Sequence, residues 1–551
     1  MRTRLPVIAL SGLLMLGAAG ALAQAEAERR LDAAIERLRG ALGPEVRIEI
    51  GGRRLDPVTG RATLTDVVIH RRGDRTTIPE VTLSDLSEGR IGRAELRGVS
   101  ERGGDGTAAD TGRIVLSGFA LPPAGQAFDP AALAFEGIEV ESFRAAGQGN
   151  KTVVARLALG PWRDMTLATG TMEGFDFRTT DETRLQLRRV ALEAVTLPFA
   201  GTELAPGAFR AGRIAVEGLE FQEPTQAGMA SLDRLELRDW APGRLAGLVL
   251  EGLRGSGQVP NLGASEFRLA RIEAAGIDAA ALLDSALNGT QAPDPQPGQP
   301  QRLSIEGLES RAEGQPLLSL RRLLSEGSLE GGIAAGTLRL EGFRLTLPRG
   351  QAEPLETLGY REIAGGIEMH ASVPRAGGRL DFDPMRIVWD EAMTLGLALR
   401  LEGFPAPPAA GSVLDTDALV AGMQASQLGA LTLTLRDQGL IGRLIAAQAR
   451  EQRIPAARLR EQWAQMVLSM PLPGAETPAQ RGRPGAPPPK SATGPDPFLQ
   501  VRQAAAAFIR QPGTLEIALR PEPPLPVSQL MEAIGDPAGA ALRLGLTATA
   551  R

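Results

Sequence analysis

The chain of 551 residues contains no cysteine. That excludes disulfides, thiol catalysis, iron–sulfur clusters, haem attachment through CxxCH and cysteine–zinc sites. Histidine occurs only at His70 and His370, far apart in sequence, so histidine metal sites and triad chemistry have no material. Aromatic residues make up 4% and tyrosine occurs once, at Tyr360. This is too little for stacking platforms or for the aromatic girdles of an outer-membrane barrel. Lysine is confined to Lys151 and Lys490, so 58 of the 60 lysines and arginines are arginine. With the abundant Ala, Gly and Pro, that bias reads as composition rather than as a set of anion-binding arginine forks. The net charge of −5 offers no concentrated cationic face, so nucleic acid is excluded as a partner. After residue 25 no apolar run approaches the roughly 18 residues that a spanning helix needs.

The N-terminus has the layout of a secretory signal. Arg2 and Arg4 form a positive start, Leu5 to Ala19 run apolar, and Ala21-Leu22-Ala23 and Ala23-Gln24-Ala25 are small-residue cleavage sites. The arginines are not adjacent, which disfavours the twin-arginine route, and a lipobox would need cysteine. The competing reading is a retained anchor, since Leu5–Ala23 is 19 residues long. Cleavage is the preferred expectation. It makes the mature chain periplasmic or otherwise exported, with no integral span.

One element recurs along the chain: apolar-x-apolar-x-Gly-apolar-x-apolar. Ile114 to Leu121 fits around Gly118, Leu133 to Val140 around Gly137, Ile214 to Phe221 around Gly218, and Leu338 to Leu345 around Gly342. Partial copies carry Gly98, Gly174, Gly252, Gly307 and Gly403, mostly as Glu-Gly. The flanks alternate apolar and polar, the period of a half-buried strand. The phase switches at the glycine: Leu338 and Leu340 are followed by Phe343, Leu345 and Leu347. The same switch occurs at Gly118, Gly137, Gly218, Gly252, Gly307 and Gly403. A straight strand would then turn its second half to the wrong face. A two-residue hairpin, a bulge or a solenoid corner each repairs this, and each suits a residue at positive φ. Glu-Gly is a weak hairpin turn, so bulge or corner is preferred. The nine glycines are unevenly spaced, which argues against a strict solenoid period.

These signals predict a mainly β fold: an elongated, curved, repeat-like antiparallel sheet or solenoid, with a small α+β C-terminal cap. Residues 1–25 are the signal and 26–43 a helix with Leu31, Ile35, Leu38 and Leu42 on one stripe. Residues 44–287 form a first β-repeat region ending in a short helix at Ile277 to Leu287. The Pro-rich stretch 288–301 is a linker or loop, and 302–412 is a second β-repeat region. Residues 413–470 hold a strand at Leu431 to Leu435 and helices. Asp437 caps one helix, and Leu459, Trp463, Met466 and Val467 form the stripe of another. Residues 471–497 read as a disordered Pro/Gly/Ala-rich linker. Residues 498–551 form the cap: a helix to Ile509, a strand at Thr514 to Leu519, a helix at Val527 to Ile534 and a last strand at Leu542 to Ala548.

The search for chemistry is mostly negative. Gly147-Gln148-Gly149-Asn150-Lys151-Thr152 lacks the spacing of a phosphate loop. No G-x-S-x-G or HExxH is present, and Asp381-Phe382-Asp383 and Asp415-Thr416-Asp417 lack the rest of a calcium loop. Glu136, Glu217, Glu341 and Glu402 recur beside glycines and read as exposed charge rather than as paired hydrolytic carboxylates. No cofactor is expected.

The export signal, phrases such as Leu338-Arg339-Leu340-Glu341-Gly342-Phe343 and the small helical cap resemble the AsmA-like envelope proteins and other exported β-repeat proteins of proteobacteria. The resemblance lies in texture over residues 45–551. AsmA-like proteins usually retain an N-terminal anchor, and the A-x-A sites depart from that. The resemblance implies a curved sheet with an apolar concave face and a role in envelope maintenance or lipid handling. The expected function is therefore that of a non-enzymatic envelope protein whose sheet binds or shields an apolar ligand such as lipid. Two alternatives stand beside it: a structural or assembly protein with a closed β core, and a hydrolase with an unrecognised carboxylate site. The expected partners are lipid or another envelope protein.

Overall fold

In the computed structural model the described residues are 28–29, 31–33, 35–37, 45–56, 59, 61–71, 73–87, 89–121, 133–197, 199–200, 203–204, 209–224, 228–241, 247–259, 263–276, 298–346, 353–374, 376–406, 416–470, 498–532 and 543–551. The expected signal, the helix at 277–287, most of the 288–301 stretch and the 471–497 linker lie outside them. The fold is mainly antiparallel β. The chain divides into two compact units: Met1–Ile272 with Ile277–Asn288, and Glu273–Gly276 with Gly289–Arg551.

The first unit is built on long strands: β1 (Val46–Asp56), β2 (Arg61–Arg71), β3 (Asp74–Ser87), β4 (Arg90–Arg102), β5 (Ala108–Ala120), β6 (Gly137–Gly147) and β7 (Asn150–Leu159). Then come β8 (Trp162–Arg163), β9 (Thr166–Arg178), β10 (Arg184–Thr196), the small pair β11 (Phe199–Ala200) and β12 (Glu203–Leu204), β13 (Ala211–Glu223), β14 (Gly228–Trp240), β15 (Gly247–Val259) and β16 (Gly263–Ala275). Each long strand from β1 to β15 pairs antiparallel with the next, β7 joining β9 directly. Sequence neighbours are thus sheet neighbours, the simplest way to satisfy the backbone of an alternating sequence.

The core of this unit sits under β1–β5. Ile48, Leu64, Val67, Ile78, Val81, Leu96, Ile114 and Leu116 are buried on one face, joined by Leu31 and Ile35 from the helical residues 28–37. Burying each such side chain contributes about 1.5–3 kcal/mol. Arg53 donates to Asp32 at 3.0 Å, fastening those helical residues to β1.

The second unit repeats the pattern with β17 (Gln301–Ala312), β18 (Gln315–Glu330), β19 (Ile333–Thr346), β20 (Glu362–Pro374), β21 (Gly378–Trp389), β22 (Met393–Phe404), β23 (Gln427–Asp437) and β24 (Thr514–Leu519). These pair in order, and β25 (Leu525–Pro526) and β26 (Thr547–Ala550) complete the end of the sheet on β23 and β24. The cap carries helices Thr416–Ala425, Leu440–Gln452, Ala456–Ser469, Leu499–Arg510 and Val527–Glu532. Asp437, the expected cap, lies two residues before the observed cap, Gly439. Its carboxylate accepts from the N–H groups of Gly439 and Ile441, so it still serves the start of that helix. Met466 departs from its expected stripe: Leu459 is buried there, whereas Met466 is 59% exposed. The last strand begins at Thr547 rather than Leu542, because residues 543–545 turn in a helical conformation before it.

Candidate functional site

The phase switch read from the sequence is a structural seam. In β2 the buried residues are Ala62 and Leu64, then Val67 and Ile69; in β3 they are Thr76 and Ile78, then Val81 and Leu83. At the switch two consecutive residues face away from the core, and one of them is unpaired. Its neighbour across the ladder is also unpaired, so the register resumes unchanged: Thr65 pairs Glu80, Val67 pairs Ile78, and Asp66 opposite Pro79 is skipped. A one-sided bulge would shift the register; here each strand carries the extra residue.

The skipped positions line up across the first unit as Gly51, Asp66, Pro79, Gly98, Gly112, Ser142, Ala155, Gly174, Arg188, Gly218, Asp233 and Gly252. Every second member is left-handed: Asp66, Gly98, Ser142, Gly174, Gly218 and Gly252 have φ of 55°, 67°, 58°, 63°, 63° and 68°. In the second unit Gly307 and Gly342, at 65° and 62°, flank Arg321 in the same way. Gly118, at 61°, belongs to a second seam with Asp85 and Gly92. Gly403 has φ 64° near the end of β22. These glycines lie within strands, not at hairpin turns. Gly137 is the exception: it opens β6 opposite Ser117, outside the left-handed region.

Because every strand switches together, one face stays apolar on both sides of the seam. On β6, β7, β9, β10, β13, β14 and β15 one row is Val140, Leu157, Met172, Val190, Val216, Leu235 and Leu250. Beyond the seam, Phe143, Val154, Phe175, Leu187, Leu219, Leu232 and Leu253 sit on the same face. Unlike the core residues under β1–β5, most of these side chains are only half-buried. Six inter-strand steps of about 4.8 Å and about seven residues of strand give a face of roughly 600–700 Å². In the second unit Ile305, Leu323, Leu340, Ile367, Ile387, Leu395, Leu435 and Leu515 form a corresponding row.

The opposite face carries a charge ladder beside the seam. Glu141, Arg156, Glu173, Arg189, Glu217, Arg234 and Glu251 are consecutive cross-strand partners of alternating sign. Arg271 extends the series by an ion pair to Glu251. Arg97 and Arg113 meet as like charges, and Glu95 bridges them at 2.8 and 2.9 Å. Those two guanidinium groups hold the Glu95 carboxyl below its usual range, Arg113 more than burial opposes. The second unit repeats Glu306, Arg322, Glu341. Neighbouring strand pairs of opposite charge contribute about 0.2–1 kcal/mol each. Of the Glu-Gly glutamates, Glu173, Glu217, Glu251, Glu306 and Glu341 are therefore half of a ladder. Glu217 lies 3.8 Å from Arg188 and Glu341 lies 3.5 Å from Arg321; Glu136 pairs with Arg90 and Arg163. Glu402 stands opposite Gln427. They do not converge as a carboxylate pair. The arginines of the alternate strands were missed in the sequence; Arg156, Arg189, Arg234 and Arg322 each follow directly on a seam position, Ala155, Arg188, Asp233 and Arg321, and share no glycine that would mark them.

The two histidines are apart. His70 Nε2 lies 4.0 Å from Glu49, and His370 Nδ1 lies 3.1 Å from Thr337 Oγ1. Among the described residues no group of three or more His, Asp or Glu is placed to hold a metal, and no helix is long and apolar enough to cross a membrane. An open cleft of about 360 Å³ lies along the seam by Gly174, Arg188 and Gly218, with Asp176 and Glu220 at its side. Asp176 is engaged by Arg184 and Arg178.

Compared with known proteins, residues 386–551 match a family model described as "Uncharacterized protein". This region runs from the end of β21 through the cap. No curated protein matches the chain.

Proposed function

We propose that the chain is an exported, non-enzymatic envelope protein whose apolar sheet face takes up the hydrocarbon chains of lipids. The observation that carries this reading is the half-exposed apolar face of β6–β15, continuous across the seam. A one-sided apolar sheet must be covered by another layer or by a ligand. The face has no charged side chain within its two central rows, so it holds hydrocarbon by burial alone and leaves a polar headgroup outside. The export signal read from Arg2 to Ala25 sends the chain to a compartment where lipids need shielding from water. The closed core under β1–β5 supports a second role, as the structural base on which the open part is built.

The test is native mass spectrometry of the full chain after incubation with phosphatidylcholine vesicles. Bound phospholipid is expected on the wild type. Met172→Asp with Val190→Asp puts two carboxylates in the middle of the face, and this variant should lose the lipid while keeping its β circular dichroism. A wild-type chain that emerges without lipid overturns the reading.

A further inference from the structure

Strand β1 is a sheet edge: among the described residues β2 is its one strand partner. Natural edges usually discourage pairing with charge. The charges on β1 are instead arranged so that the strand complements itself. The seam passes between Gly51 and Gly52, which both face away from the core, with Ile50 and Arg53 on the core side. Place a second copy antiparallel, with the twofold axis between these glycines. Glu49 then faces Arg54 of the other copy, and Arg47 faces Asp56. By symmetry that gives four opposite-charge pairs. On the other face Ile48 meets Leu55, and Ile50 meets Arg53, whose guanidinium is held by Asp32 at 3.0 Å.

The register is unique in this respect. A slip of two residues one way sets Arg47 against Arg54. A slip the other way sets Glu49 against Asp56. Either slip also takes Gly51 and Gly52 off the twofold axis, so that a core-side residue, Ile50 or Arg53, meets an outward-facing glycine. Within one copy Arg47 and Glu49 pair with each other at 3.0 Å, but their side chains are 79% and 47% exposed and within reach of a partner. We infer that β1 is a homodimer interface, in which two copies join edge to edge through an antiparallel β1 pair centred on Gly51-Gly52. A closed, isologous contact of this kind also removes the unpaired edge.

The test is sedimentation velocity of the purified full chain with charge-swapped variants. The wild type should form dimers. Glu49→Arg alone and Arg54→Glu alone each turn two attractive pairs repulsive and should weaken self-association by about tenfold or more. The double variant Glu49→Arg/Arg54→Glu restores complementarity and should dimerise again. Mixing the two single variants should yield heterodimers, because each then carries the charges the other needs. This rescue separates the interface from a folding defect. A monomeric wild type overturns the inference. So does association that ignores the swaps, as contact through the apolar leader or apolar face would.

Discussion

Glu236 is the most informative side chain to remove. It lies on the charged face of β14 and is only 1% exposed, covered by the arginines that bind it. Arg213 donates to it at 3.2 Å, and Arg234 and Arg238 also donate. Burial pushes its carboxyl up, but the three guanidinium groups together outweigh that and hold it down at about 2, against 4.5 ordinarily. A depressed carboxyl stabilises the fold at pH above its unfolded value and loses that contribution as pH falls from 4.5 toward 2. At about 1.4 kcal/mol per pH unit the upper bound is about 3.5 kcal/mol. Glu236→Gln keeps the shape and removes the charge. Arg213 and Arg234 retain Glu193 and Glu251, so the expected loss at pH 7 is about 2–3 kcal/mol rather than more. Hydrogen exchange of peptides covering Gly228–Trp240 should accelerate by about 30- to 150-fold at pH 7. At pH 3, where the wild-type contribution is mostly gone, the difference between wild type and variant should shrink to about 1 kcal/mol. An unchanged rate at pH 7, or an equal difference at both pH values, would refute the reasoning.

Two further outcomes follow from the geometry. The Arg443 guanidinium lies 4.4 Å above the Tyr360 ring and 3.0 Å from Glu391, and Tyr360 packs on Trp389. Arg443→Met should cost about 1–2 kcal/mol and reduce the near-ultraviolet circular dichroism of that aromatic pair; an unchanged spectrum counts against the contact. Gly403→Ala places a side chain in open space at φ 64°, so it should cost only the left-handed backbone strain of about 1–2 kcal/mol. Gly218→Ala has φ 63° and sets its Cβ 2.9 Å from the Arg188 Cβ, so urea unfolding should show a larger loss, about 2–3 kcal/mol. Equal losses at the two sites would show that room at the seam is immaterial.

The strand architecture was legible because alternation and glycine act locally. Gly98, Gly174, Gly218, Gly252, Gly307 and Gly342 stand out as the residues that adopt a left-handed conformation at least cost. Asp66 and Ser142 hold the same conformation without that signal, since a short polar side chain tolerates it. The alternate strands were invisible. Pro79, Ala155, Arg188 and Asp233 occupy the seam with no residue type in common, because their backbone stays out of the left-handed region. Gly137 misled for a related reason: a glycine beside a strand start carries the same local phrase as one at the seam. The charge ladder was legible only in half. Each Glu next to a glycine announced itself, whereas its arginine lies on another strand, as Arg156 does from Glu173, and sequence adjacency cannot pair them. The excess of arginine over lysine, read as composition, supplies the cationic half of this ladder.

The seam and the ladder together explain how an array without a fixed repeat length keeps one register. A slip of one residue would turn every apolar row outward, which the half-buried face forbids. A slip of two would preserve the faces, so apolar burial alone cannot exclude it. The ladder does. Moving Glu141 two residues along β7 would take it from Arg156 to Val154 or Ala158, and each strand pair would lose its opposite-charge contact. The same slip would set a left-handed residue such as Gly174 against a paired position on β7, so the matched unpaired sites would no longer coincide. Register is thus fixed in the middle of each strand rather than at its turns. Connections are then free to vary, as the two residues between β6 and β7 and the sixteen between β5 and β6 do, without disturbing the sheet. The uneven spacing of the glycines is the expected mark of an array held in this way.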